Sequence, residues 1–185
     1  MNKTLTSREA ILTVGKEIAT QSGLQALNMR EVAKRCGVAV GSVYNYFPSK
    51  GELIAATIES VWSEIIYSPT SLPPSQSFVE TVCSLFETIQ KGSEKYPSFF
   101  TLHSMSFAGI DRHKAREVMN QYFGQIKSRL LMVLKEDQNV RHDAFTPDFS
   151  AEDLVDFAFS NILMLLMQSN PSCRCLSELI ARSIY

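Results

Sequence analysis

In the stretch LNMREVAKRCGVAVGSVYNYFPSKGEL, residues 27–53, two short helical patterns are separated by a glycine and closed by a proline, leaving the backbone few possible courses. Asn28 is a good N-cap, and Glu31, three positions on, can reach back in a capping box. Met29, Val32, Ala33 and Cys36 recur at spacings of three and four, so one face packs inward while Arg30, Lys34 and Arg35 point outward. Gly37 enters the left-handed region at little cost and ends this helix, and Val38 can pack into the corner that follows. A second helix, Val40 to Phe47, buries Val43 and Phe47 and presents Val40, Ser42, Tyr44 and Asn45 elsewhere. Pro48 stops it.

Two short helices joined by a tight turn form a helix-turn-helix pattern. An α-helix about 10–12 Å across fits the B-DNA major groove, about 12 Å wide. Ala39, Gly41 and Ser42 are small enough to let the second helix approach base edges closely. Val40 can touch a thymine methyl, and Ser42 can donate to or accept from a base or phosphate. Tyr44 and Tyr46 offer stiff hydroxyls to phosphate oxygens, with Asn45 between them and Arg30 on the preceding helix. Lys50, with the backbone N–H groups of the helix that begins near Ser49, forms a phosphate clamp. Such phosphate contacts set register, whereas base contacts specify sequence.

Charge places this activity in the first quarter of the chain. Residues 1–51 carry Lys3, Arg8, Lys16, Arg30, Lys34, Arg35 and Lys50 against Glu9, Glu17 and Glu31, a net of +4, while the whole 185-residue chain is −1, leaving −5 for residues 52–185. Nucleic-acid contact is therefore assigned to the N-terminal segment. An apolar content of 45% with 20% charged residues fits a folded core without staples. No apolar run of membrane-spanning length occurs, and the first twenty residues lack an apolar leader, so a cytoplasmic protein with no membrane partner is expected. His103, His113 and His142 form no metal-ligand spacing. Cys173 and Cys175 stand close together, but no second ligand cluster matches them, so neither metal nor cofactor is expected and packing or partial exposure explains the pair.

The remaining chain reads as helices throughout, about nine in all, with no convincing strand pattern. Ser7 caps a first helix to Gln21 whose stripe Ile11, Leu12, Gly15, Ile18 and Ala19 covers the two short helices, and Gly23 ends it. A helix from about Ser49 runs through Ile66, too long to serve the first module alone. Three prolines within residues 68–75 break the chain. Helices follow over Phe78 to about Lys95, Pro97 to Phe107, and about Asp111 to Leu134. After a polar loop, Ser150 and Asp153 mark the start of a helix to about Gln168, and Ser172 to about Ser183 forms the last. The Ser150 helix has almost no polar face, so its outer side is expected to meet a second subunit. Leu154, Phe159, Leu163 and Met167, with Leu176 and Ile180 of the last helix, are the expected two-fold interface.

The N-terminal stretch resembles the DNA-binding domain of TetR-family transcriptional regulators. The likeness rests on Ala19, Gly23, Leu27, the segment Asn28–Ala33, Gly37-Val38, Gly41, Tyr44 to Phe47, Ser49-Lys50 and Leu53. It implies an all-α homodimer, usually a repressor, whose N-terminal three-helix bundle (residues 1–50) reads a palindromic double-stranded operator. A helical domain (residues 51–185) would bind a ligand and dimerise. By resemblance, Asn28 replaces a usual threonine cap, and Tyr44, Tyr46 and Lys50 occupy positions that touch phosphates. Two positions depart from the pattern: Ala39 stands where Ser or Thr usually caps the reading helix, and Val40 replaces a commonly polar or proline residue.

Residues 51–185 also carry an aromatic and thioether load, Trp62, Phe86, Phe99, Phe100, His103, Phe107, Met119, Tyr122, Phe123 and Phe157. Taken singly, most of these serve as core. Together they are expected to line an apolar pocket for a small apolar or aromatic effector, with His103 orienting a polar end. No nucleophile-base spacing, phosphate-cradling glycine loop or paired-acid motif supports an enzyme. The alternative is a helical DNA-binding dimer without small-molecule control, answering to a protein partner or acting as an activator, with its interior filled by interdigitated Phe and Met.

Overall fold

The computed structural model describes residues 6–66, 77–97 and 112–185. Among them lie eight α-helices: α1 (Arg8–Ser22), α2 (Met29–Cys36), α3 (Val40–Tyr44), α4 (Lys50–Ile66), α5 (Phe78–Lys95), α6 (Arg112–Glu136), α7 (Ala151–Met167) and α8 (Arg174–Ile184). A 3₁₀ turn, Leu24–Ala26, joins α1 to α2. Among the described residues, extended pairing is limited to a single Thr146–Phe149 bridge. The fold is all-α, as expected. The helix expected over residues 97–107 and the proline break at 68–75 lie outside the described residues.

The chain separates into two compact units, residues 1–64 with 93–122, and residues 65–92 with 123–185. The division cuts α4, α5 and α6 and does not fall at residue 50. In the first unit, α1 and α4 cross closely: a Cβ at Gly15 would lie 2.9 Å from Thr57 Oγ1. Glycine there lets two backbones approach where alanine would push them apart. Around this crossing Ile11, Ile18, Ala19, Leu27, Val32, Val43, Leu53 and Ile58 are all essentially removed from water. Each large side chain so buried contributes about 1.5–3 kcal/mol of gross hydrophobic stabilisation.

The second unit is held at its centre by Phe78, Leu85, Phe86 and Ile89 of α5, Leu130 and Leu134 of α6, and the inner faces of α7 and α8. Phe123 meets Phe159 edge to face at 5.0 Å. Asp137, 7% exposed, is its polar hub: its carboxylate accepts the Phe78 N–H (2.8 Å), the Tyr185 hydroxyl (2.6 Å) and the Asn139 N–H (3.0 Å). Burial alone would raise the pKa of this carboxyl, but those hydrogen bonds outweigh it and hold the acid below its ordinary value. α7 opens with a complete capping box, in which Ser150 Oγ accepts the Asp153 N–H and Asp153 accepts the Ser150 N–H. That start is firmer than the acidic first turn alone suggested.

Candidate nucleic-acid interface

The surface that α3 presents is fixed by what lies under it. Asn28 caps α2, its Oδ1 accepting the Glu31 N–H at 2.9 Å. The reciprocal half of the expected box is replaced: the Glu31 carboxylate takes a hydrogen bond from Arg35 Nε at 2.8 Å, and Arg35 also donates to Gln21 Oε1 of α1 at 3.0 Å. An arginine one turn on wins because it brings charge as well as a donor. Gly37 adopts φ 67°, ψ 29°, the left-handed cap, and the Val38 N–H returns to the Ala33 carbonyl at 3.0 Å. This turn sets the angle at which α3 leaves α2.

α3 is shorter than the sequence suggested. Regular helix ends at Tyr44, and Asn45 and Tyr46 form a turn, the Tyr46 and Phe47 N–H groups both reaching the Val43 carbonyl. Ala39 supplies no side-chain cap at its start. Five helical residues cannot sustain themselves. Val43 and Phe47, 0% and 2% exposed, hold the segment down. Arg8 adds its guanidinium 5.3 Å above the Phe47 ring.

That anchoring leaves the expected contact residues facing outward. Tyr44 and Tyr46 are 49% and 40% exposed. Asn28, Arg30, Ala39 and Asn45 are exposed, and Val40, Ser42 and Lys50 are half-buried at the rim. The Tyr46 hydroxyl donates to the Thr6 carbonyl at 2.7 Å, which sequence reasoning did not foresee. At the start of α4, Ser49 Oγ accepts the Glu52 N–H at 3.1 Å and so caps the helix beside Lys50.

A junction of charges further along the same unit was also missed. Glu64 of α4 accepts hydrogen bonds from Lys16 of α1 (2.8 Å), from Tyr96 (2.7 Å) and from Lys95. Burial pushes the Glu64 carboxyl up, but these three donors prevail and hold it at about 2; burial and the same carboxylate raise the Tyr96 hydroxyl. No spacing in the sequence could announce it, since the donors lie 31 to 48 residues from Glu64.

The aromatic and thioether set expected around an effector is distributed. Trp62, Met119 and Tyr122 belong to the first unit, where the Trp62 indole donates to Met119 Sδ (3.1 Å) and Tyr122 shares a hydrogen bond with Ser63 (2.8 Å). Phe86 and Phe123 pack in the second unit, and Phe157, also there, is exposed. Phe99, Phe100, His103 and Phe107 lie outside the described residues. Of the expected interface residues, Leu154, Phe159, Leu176 and Ile180 are core of their own subunit and Leu163 and Met167 are half-buried. Each helix has one inner face, occupied by Leu154 and Phe159 on α7 and by Leu176 and Ile180 on α8; the large apolar side chains left exposed are Phe157 and Met164 of α7 and Leu179 of α8.

Among the described residues, no helix is long and apolar enough to cross a membrane, and no group of three or more His, Cys, Asp or Glu could hold a metal ion. Residues 11–57 match the family described as bacterial regulatory proteins, tetR family. The HTH-type transcriptional repressor KstR of Rhodococcus jostii is 29% identical over 136 residues, 74% of this chain and 63% of that repressor. The protein of the same name from Mycobacterium tuberculosis is 43% identical over 58 residues, 31% of this chain and 26% of its own length. The chain thus spans less than two thirds of these relatives. A transcriptional regulator from Rhodococcus sp. Rha1 shares the fold, with a TM-score of 0.67 at 18% identity over 96% of this chain and 91% of that one. Residues 11–57 thus carry the helix-turn-helix segment of the TetR family, and the chain shares its fold with solved transcriptional regulators.

Proposed function

We propose that the protein is a sequence-specific DNA-binding transcriptional regulator acting as a homodimer, a repressor released from a palindromic operator by an apolar or aromatic small molecule. Residues 1–50 read the DNA and residues 51–185 carry dimerisation and control. The observation that carries this reading is the surface of α3 and the turn after it: Tyr44 and Asn45 are exposed and Val40 and Ser42 half-exposed on a segment pinned from beneath by Val43 and Phe47. The positive balance of residues 1–51 supports the same face. Resemblance to KstR, named a repressor, supports the sign of control. An effector works only by favouring the head spacing that the operator does not.

Selection from random duplexes at stated salt tests this reading. The expected product is a palindrome whose half-sites lie about 34–36 Å apart or a modest multiple of that. Recovery of no enriched sequence overturns it. Lys50→Ala should weaken all duplexes alike and reduce the salt slope by about 1, whereas Ser42→Ala or Val40→Ala should change sequence preference. Met164→Glu, on the outer side of α7, should yield monomers in light scattering and weaken operator binding; an unchanged mass would remove that face from the interface.

A second reading, control by a protein partner or by activation without a small molecule, is favoured by the tight packing of Trp62 and Met119, 0% and 4% exposed and bonded to each other. A thermal-shift screen of apolar compounds separates the two: stabilisation by at least one compound supports the effector, and a flat response supports the partner.

A further inference from the structure

Thr13, Glu17 and Thr20 share one face of α1, and with Lys16 they form one wall of a cleft of about 310 Å³ whose other wall is Glu64, Lys95 and Tyr96. All of these residues belong to the first compact unit. Two glutamates balance two lysines, so the cleft has no net charge, but its charges are sorted. Lys16 Nζ donates to one oxygen of the Glu64 carboxylate at 2.8 Å and Lys95 Nζ to the other, so two ammonium groups flank one acid. Each ammonium carries three protons and gives one to Glu64, which leaves donors to spare. Along α1 the spare groups around Glu17 are acceptors. Thr13 and Thr20 spend their hydroxyl protons on the Glu9 and Lys16 carbonyls, at 2.9 and 2.7 Å, and keep only oxygen lone pairs. Between them the exposed Glu17 carboxylate accepts no hydrogen bond and joins no ion pair among the described residues.

We infer that this cleft is a binding site for a small zwitterion of the α-amino acid class, its ammonium group on Glu17 and its carboxylate between Lys16 and Lys95. An ion of a single sign fits badly: an anion meets Glu17 and Glu64, and a cation meets the two lysines. A zwitterion pairs with both walls. Because it has no net charge, the positive balance of residues 1–51 neither attracts nor repels it. The volume lies at the lower end of ligand sites, about 300 Å³, which suits a molecule of this size. Lys95, with its side chain 61% exposed, can turn part of its bonding from Glu64 to the ligand, since ion pairs so open to water hold weakly. Lys16 and Tyr96 keep Glu64 satisfied meanwhile. The Thr13 and Thr20 oxygens accept the ammonium protons that Glu17 does not take. A bound zwitterion thus adds a second tie between α1 and Lys95 beside the one that Glu64 makes. Neither the operator nor the apolar effector proposed above is needed for this binding, so either can fail without the other.

The test titrates the full chain calorimetrically, at fixed ionic strength, with each neutral L-amino acid and then with the N-acetyl and carboxamide derivatives of the one that binds best. The expected result is saturable binding of one molecule per chain, weakened about tenfold or more when either end is blocked. Glu17→Gln should weaken the free amino acid by a similar factor and leave the N-acetyl derivative unchanged, because the group that Glu17 meets is already gone. Lys95→Met should weaken the free amino acid but not the carboxamide. Both side chains are exposed, so both variants should keep the parent's circular dichroism. The blocked derivatives are measured on the unaltered chain, so the outcome does not hang on either variant folding. No saturable binding by any amino acid, equal binding of the blocked derivatives, or full affinity in either folded variant would overturn the assignment.

Discussion

At the scale of single residues, Ala39 is the most instructive position in the reading head. Its backbone adopts the extended N-cap conformation, yet it offers no oxygen to the N–H groups of α3. Replacing it with serine supplies that acceptor, and caps of this kind are worth about 0.5–2 kcal/mol. Ala39→Ser should therefore raise the midpoint of urea unfolding; no change would mean that the segment's stability comes from Val43 and Phe47 alone. The missing cap was legible from residue type. The redirection of Glu31 to Arg35 was not, because a capping box and an i,i+4 ion pair draw on the same carboxylate and the sequence contains both partners.

Between residues and whole, the helices were readable where apolar spacing and a terminator coincided. α1, α2, α5 and α7 begin and end within a residue or two of the positions that Ser7, Asn28, Phe78 and Ser150 and their following breakers imply. α3 was over-extended by three residues because Val43 and Phe47 keep helical spacing even though the backbone between them tightens into a turn. Which face of α7 points outward was not legible, since both faces are apolar and only the packing of Leu154, Ala158 and Ile162 decides. Nor did the sequence expose the close pass at Gly92, where a Cβ would fall 2.6 Å from Ile65 Cγ1 and 2.8 Å from Cγ2. These atoms sit near the Ile65 backbone and cannot swing away. Gly92→Ala is expected to destabilise by about 1–3 kcal/mol despite alanine's better helix propensity. Ile65→Ala in the same chain should recover part of the loss. Additive losses would show that the two sites do not meet.

For the molecule as a whole, acid stability depends on carboxylates outside the helix-turn-helix segment. Glu64 has its pKa lowered from the ordinary 4.5 to about 2, so its stabilisation is fully present above about pH 4.5 and lost as pH falls towards about 2. Asp137, also lowered from 3.8, acts in the same direction in the other unit. Glu64→Gln should reduce Tm at neutral pH, and the gap between variant and parent should close progressively below pH 4.5. A gap that stays constant to pH 2 would show that Glu64 acts through shape rather than charge. Both hubs escaped sequence reasoning for one reason: an acid in a polar loop or at a helix end looks solvated until the fold delivers its donors. The family's imprint on residues 11–57, by contrast, was local enough to be recognised without any tertiary information.

The bond between Tyr46 and the Thr6 carbonyl has a corollary for how the two neighbouring phenols would divide their labour on a duplex. A hydroxyl has a single proton to give. Among the described residues Tyr44 gives its proton to no partner and can offer it to a phosphate, whereas Tyr46 must first let go of the Thr6 carbonyl. Removing the oxygen by Tyr46→Phe should therefore weaken operator binding less than Tyr44→Phe does, and the leading segment should become more open to proteolysis when the duplex is bound than when it is absent.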